Sequence, residues 1–71
     1  MIDKIQKLIN QYNKKIAECQ TKKEFAIKYR TEARKTSNED LLIESRNEIH
    51  RMLTLIQVYV QFVKELEDLE D

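Results

Sequence analysis

Two apolar seams run along this chain, and they are out of register with one another. The first passes through Ile2, Ile5, Ile9, Tyr12, Ile16 and Cys19, then continues through Lys23, Ala26, Arg30 and Ala33. Its steps alternate between three and four residues, the spacing that keeps side chains on one stripe of an α-helix. In heptad terms Ile2, Ile9 and Ile16 stand at position a, and Ile5, Tyr12, Cys19, Ala26 and Ala33 at position d, with Leu8 widening the stripe. Lys7, Lys14, Thr21, Lys28 and Lys35 fall at the outermost position f, so the polar stripe lies opposite the seam. The second seam runs through Leu42, Ser45, Ile49, Met52, Ile56, Tyr59, Val63 and Leu66. Extending the first seam lands instead on Ser37, Asp40, Glu44, Asn47, Arg51 and Thr54, all polar. The offset of two residues is about 200° around a helix. One straight rod would carry its two stripes on nearly opposite sides, whereas a turn between the halves lets them face each other.

The stretch EARKTSNEDLL, residues 32–42, supplies that turn. Arg34 and Lys35 place cations where a helix C-terminus favours them. Thr36, Ser37 and Asn38 are all N-capping types, Glu39 and Asp40 put negative charge into the next first turn, and Thr36 to Glu39 has capping-box spacing. The chain contains no Gly and no Pro, so nothing else interrupts helix, and the non-helical residue is expected at Ser37 or Asn38. The expected architecture is therefore all-α, a single domain over 1–71. Helix 1 covers about 2–35, the turn about 36–38 and helix 2 about 39–69, packed as an antiparallel, coiled-coil-like hairpin. Charge agrees with this pairing. Residues 1–37 carry ten Lys and Arg against four Asp and Glu, and residues 38–71 carry three against nine. Folding residue i against roughly 74 − i brings Lys4 and Lys7 near Glu70 and Glu67, and Arg30 and Arg34 near Glu44 and Asp40. Such surface pairs are individually weak, about 0–1 kcal/mol, and act mainly on the choice of pairing.

The second half holds MLTLIQVYVQFV, Met52–Val63, twelve residues without a charge in a chain that is 37% charged. Val58, Tyr59, Val60, Phe62 and Val63 are strand-favouring types, but the flanks are helical and no turn residue bounds the run. Read as a helix, it has the seam at Met52, Ile56, Tyr59 and Val63. A second stripe lies at Leu55, Phe62 and Leu69, with Leu41 further up, and a third at Leu53 and Val60. One antiparallel neighbour covers one seam. A helix apolar over more than half its circumference belongs inside a larger bundle. The residues expected at a dimer or partner interface are Ile49, Met52, Leu53, Leu55, Ile56, Val58, Tyr59, Val60, Phe62 and Val63. The simplest partner is a second copy, giving a dimeric four-helix bundle. The rival is a different helical protein without which the chain does not fold.

Chemistry finds little to work with. There is no Gly-rich phosphate loop, no Ser/His/Asp set and no paired-ligand spacing, so no catalytic, metal or cofactor-binding residues are expected and the chain reads as a non-enzyme. Cys19 is the only cysteine and His50 the only histidine, which leaves no intrachain disulfide or Cys/His zinc site. Cys19 reads as a small core residue and His50 as a surface residue. The uncharged run is too short for a bilayer, which takes about 20 apolar residues, and Met1–Asn10 is charged at Asp3, Lys4 and Lys7. A cytoplasmic, non-membrane protein is expected. Ile, Lys and Asn are frequent while Ala is scarce, the coding bias of an AT-rich genome such as a low-GC bacterium or its mobile elements.

Two functional classes follow. The first is a protein-interaction module, a hairpin dimer that regulates, inhibits or scaffolds a larger macromolecule. The second is an RNA- or DNA-binding hairpin dimer. Residues 22–35, KKEFAIKYRTEARK, hold six basic and two acidic residues, with Phe25 outside the seam and Tyr29 one turn on. Lys22, Phe25, Lys28 and Tyr29 are the candidate contacts, by phosphate pairing and base stacking. In length and overall shape the hairpin resembles plasmid copy-number regulators, dimers of helical hairpins that bind paired RNA loops. The stretch LLIES, Leu41–Ser45, resembles five residues of small helical-hairpin inhibitors of sporulation kinases, without implying kinship, and illustrates how a hairpin this size can occlude a larger protein.

Overall fold

The structure, a computed structural model, describes residues 2–70, and the side chains of residues 3–69. Helix α1 spans Ile2–Thr36 and helix α2 spans Glu39–Glu70, and the two pack against each other as a hairpin about 53 Å long. No strand forms in the described residues, so the β-branched run 58–63 is helical throughout. Isolated helices gain little from propensity alone, and tertiary burial of one stripe supplies most of their stability. Here that stripe is the pair of seams. Ile9, Cys19, Ala26 and Ala33 of α1 and Ser45, Met52 and Val63 of α2 are buried. Ile5, Tyr12, Ile16, Lys23 and Arg30, and Leu42, Ile49, Ile56, Tyr59 and Leu66, are half-buried between them. Ile2, placed at the head of the first seam, has its side chain outside the described residues.

The seam changes character along the hairpin. Toward the turn it is built of small side chains, Cys19, Ala26, Ala33 and Ser45, with Ala33 only 1% exposed. Toward the termini it is built of Ile9, Tyr12, Ile56, Tyr59 and Val63, and the Tyr12 ring lies 5.8 Å from Tyr59 and 5.5 Å from Phe62 in tilted contacts. Aromatic pairs in such geometry contribute about 0.5–1.5 kcal/mol beyond their buried area. Ser45 buries its hydroxyl among the small residues and satisfies it by donating to the Leu42 carbonyl at 3.0 Å.

The turn is two residues long. Ser37 takes a left-handed backbone, φ 55°, and the Asn38 N–H reaches back to the Ala33 carbonyl at 2.9 Å. That six-to-one bond is the Schellman closure of a helix C-terminus. Asn38 then opens α2: its side-chain oxygen accepts from the Leu41 N–H at 3.1 Å and its carbonyl accepts from the Leu42 N–H at 3.0 Å. Thr36 is not a cap. It stays in α1, one residue past the expected end, and its hydroxyl donates to the Glu32 carbonyl at 3.0 Å. The capping box expected from Thr36 and Glu39 is therefore not formed.

The charge segregation does not close into contacts across the hairpin. Among the described residues the one ion pair joins Arg51 to Glu48, a turn apart on α2. Lys7 with Glu67, Arg30 with Glu44 and Arg34 with Asp40 stand at matching levels along the axis but form no ion pair among the described residues. The Lys4–Glu70 pair involves a side chain outside the described residues.

Candidate interaction surface

A two-helix layer has one inside seam and two broad faces, and the residues expected at an interface separate accordingly. Met52 and Val63 are buried in the hairpin's own seam, with Ile49, Ile56 and Tyr59 half-buried beside them. Leu55 is half-buried at the edge of the seam, and Leu53, Val58, Val60 and Phe62 are exposed at about 40% each. Helical spacing sends these last residues in two directions. Leu55, Val58 and Phe62 lie toward one face of the hairpin, and Leu53 and Val60, with Ile43, toward the other.

The first face is the larger, because α1 extends it. In an antiparallel pair the g positions of the two helices adjoin, and here Tyr29 of α1 shares a groove with Leu41 of α2 while Leu8 shares one with Phe62 and Leu69. Two open grooves mark it. One, near the turn, is lined by Phe25, Ala26, Tyr29, Leu41 and Ser45, with Lys22, Glu44 and Glu48 at its sides. The other, near the termini, is lined by Leu8, Tyr12, Phe62, Leu66 and Leu69, with Glu65 at its side. Leu69 is 70% exposed, Tyr29 57% and Phe25 52%, high values for large apolar or aromatic side chains. Leu8 and Leu69 were not among the residues expected at an interface. Their heptad position relative to the Leu55–Phe62 stripe was the available signal.

The four candidate nucleic-acid contacts are brought to the same end of α1, but not as a basic platform. The Lys28 ammonium lies 5.6 Å from the centre of the Phe25 ring, a cation–π contact within one helix turn. Lys22 lines the groove with Phe25 and Tyr29, and Glu44 and Glu48 complete it from α2. Carboxylates therefore stand where a phosphate backbone following the groove would pass. Arg30, at a seam position, keeps a buried Nε without a hydrogen-bond partner.

Reactive groups are not gathered anywhere on the described residues. Cys19 is a free, buried thiol in the seam and His50 is exposed. No three His, Cys, Asp or Glu side chains among the described residues come together as a metal site, and no helix is long and apolar enough to cross a membrane. Set against protein-family models, curated proteins and solved structures, the chain matches none of them.

Proposed function

We propose that this chain is a non-enzymatic protein-interaction module. It self-associates as a helical-hairpin dimer and in that form regulates, inhibits or scaffolds a larger macromolecule in the cytoplasm. One observation carries the reading: among the described residues nine large apolar or aromatic side chains stand exposed and no large side chain is fully buried. Scattered surface apolar residues are ordinary, but contiguous ones mark interaction sites. Six of the nine gather on one face. Sedimentation equilibrium at micromolar concentration tests the association, with a mass twice that of the chain expected. A folded monomer at all concentrations overturns it.

Nucleic-acid binding is the second reading, favoured by the exposed Phe25 and Tyr29 beside Lys22 and opposed by Glu44 and Glu48 in the same groove. A gel shift with RNA or DNA whose affinity falls steeply with salt is its signature, since phosphate contacts release counterions. The remaining reading, a subunit that needs a heterologous helical partner, requires that the purified chain show no cooperative melting.

A further inference from the structure

We infer that the face carrying Leu8, Phe25, Tyr29, Leu55, Phe62 and Leu69 is the self-association face, and that two copies meet on it antiparallel, the turn of each lying over the termini of the other. The inference rests on the proposed self-association and adds which face is used and which way the copies run.

A two-fold interface must be complementary to itself. This face has apolar side chains at both ends and in the middle: a groove near the turn, a groove near the termini, and Leu55 with Val58 between. Tyr12 packs on Phe62, so a residue i of α1 stands level with about residue 74 − i of α2. In a fully overlapped antiparallel pair, residue i of α1 comes over about residue 37 − i of the other copy's α1, as 1.5 Å of rise per residue requires. Apolar then meets apolar at the turn and terminal ends and near Leu55, while Phe62 comes over Glu48 and Lys15 over Lys22. Tyr29 lies over Leu8, Phe25 over Tyr12, Leu41 over Leu69, and Leu55 beside Val58. Lys4 comes over Glu32.

Turning the second copy to run parallel undoes this match. Phe25 then faces Glu48, Tyr29 faces Glu44 and Lys22 faces Arg51. In the antiparallel arrangement the charged residues of the face meet like with like, each such pair having an opposite charge beside it. Lys15 and Lys22 meet at the centre with Glu18 of both copies between them, and Glu65 arrives near Glu44 and Glu48 with Arg51 alongside. The apolar layers therefore choose the arrangement.

The size of the face fits a stable pair. A surface 53 Å long and 14 Å across offers roughly 700 Å² per copy before side chains widen it, near the about 800 Å² per partner of a standard specific interface. The opposite face, with Ile43, Leu53 and Val60 as its exposed large apolar residues, stays outside the dimer.

Single cysteines test both the face and the direction. In a Cys19→Ala background of the full chain, Glu18→Cys lies next to its own copy across the two-fold axis, and Ala17→Cys points to the opposite face. A short bismaleimide should join Glu18→Cys chains into covalent dimers and leave Ala17→Cys chains single, with helicity unchanged by circular dichroism. Crosslinking from Ala17→Cys alone, or from both positions alike, overturns the assigned face. No crosslink from Glu18→Cys, while sedimentation still gives a dimer, overturns the antiparallel arrangement. A monomer in sedimentation of the parent chain is the separate failure of the proposed self-association and takes this inference with it. As a second measurement, Val58→Glu should weaken the dimer at least tenfold while Leu53→Glu leaves it unchanged. The reverse order also overturns the assignment.

Discussion

At the scale of single residues, the turn rests on one side-chain cap, the Asn38 side-chain oxygen accepting from the Leu41 N–H, and on one left-handed residue, Ser37. Three consecutive capping types, Thr36, Ser37 and Asn38, located the turn to within a residue, because without Gly or Pro nothing else in the chain competes for it. Their separate roles were not legible. A threonine hydroxyl can cap the next helix or bond back to the carbonyl four residues earlier, and only the three-dimensional path of the chain decides between them. Thr36 bonds back to Glu32, Ser37 turns left-handed, and Asn38 caps α2. The three substitutions should therefore differ. Asn38→Ala should cost about 1 kcal/mol, the usual loss for a capping side chain. Thr36→Ala should stay within about 0.5 kcal/mol, as surface substitutions away from caps do. Ser37→Gly should stabilise by roughly 0.5–1 kcal/mol, because a residue with a Cβ is disfavoured at this φ and glycine is not. Urea unfolding of the three variants checks the order, and a Ser37→Gly midpoint below that of the parent chain would contradict the left-handed assignment.

At the scale of the two helices, the seams were legible almost residue by residue, including the small members Ala26, Ala33 and Ser45, because a 3–4 spacing depends on position rather than on size. Distance around the helix was harder to read. Lys7 with Glu67 and Arg34 with Asp40 were matched by level alone, yet Lys7 and Asp40 stand at the outermost heptad positions, too far round to meet a partner. Side-chain volume along the seam gives the next prediction. The turn half is packed with small residues, so Ala26→Leu should force the helices apart and cost about 1–3 kcal/mol. In the other half, Ile9→Ala should leave a cavity and cost about 2–5 kcal/mol, toward the low end if the neighbouring Tyr12 and Val63 relax into it. Arg30 behaves differently from both. Its buried Nε lacks a partner, and an unmet buried donor costs about 1–3 kcal/mol, so Arg30→Met should stabilise the hairpin by something on the order of 1 kcal/mol. Thermal or urea unfolding of the three variants at one fixed protein concentration separates these effects. A destabilised Arg30→Met would show that the guanidinium contributes more through its other nitrogens than its Nε costs.

At the scale of the whole molecule, the decisive fact is that the hairpin is a single layer. Domains are stable when at least two packed layers enclose a core, and small chains without staples need unusually regular packing or association. Here each helix buries one stripe, and the large side chains of the terminal half, Tyr12, Tyr59 and Phe62, remain partly open. The uncharged run Met52–Val63 signalled this from the sequence, since one neighbour cannot cover three stripes. What it could not show is that α1 adds Leu8, Phe25 and Tyr29 to one side only, because that depends on which flanks of two helices adjoin. If a second hairpin supplies the missing layer, folding and association are one equilibrium and the melting temperature must depend on protein concentration. A tenfold rise in concentration adds about 1.4 kcal/mol per dimer. For a folding unit of two such chains that amounts to an upward shift of roughly 3–6 °C. Circular dichroism melts over a hundredfold range of concentration should rise accordingly, and the Val58→Glu chain should melt lower and with less dependence on concentration. A parent melting temperature that does not move with concentration would mean that the lone hairpin is the cooperative unit, and its exposed apolar face would then be held open for a different protein.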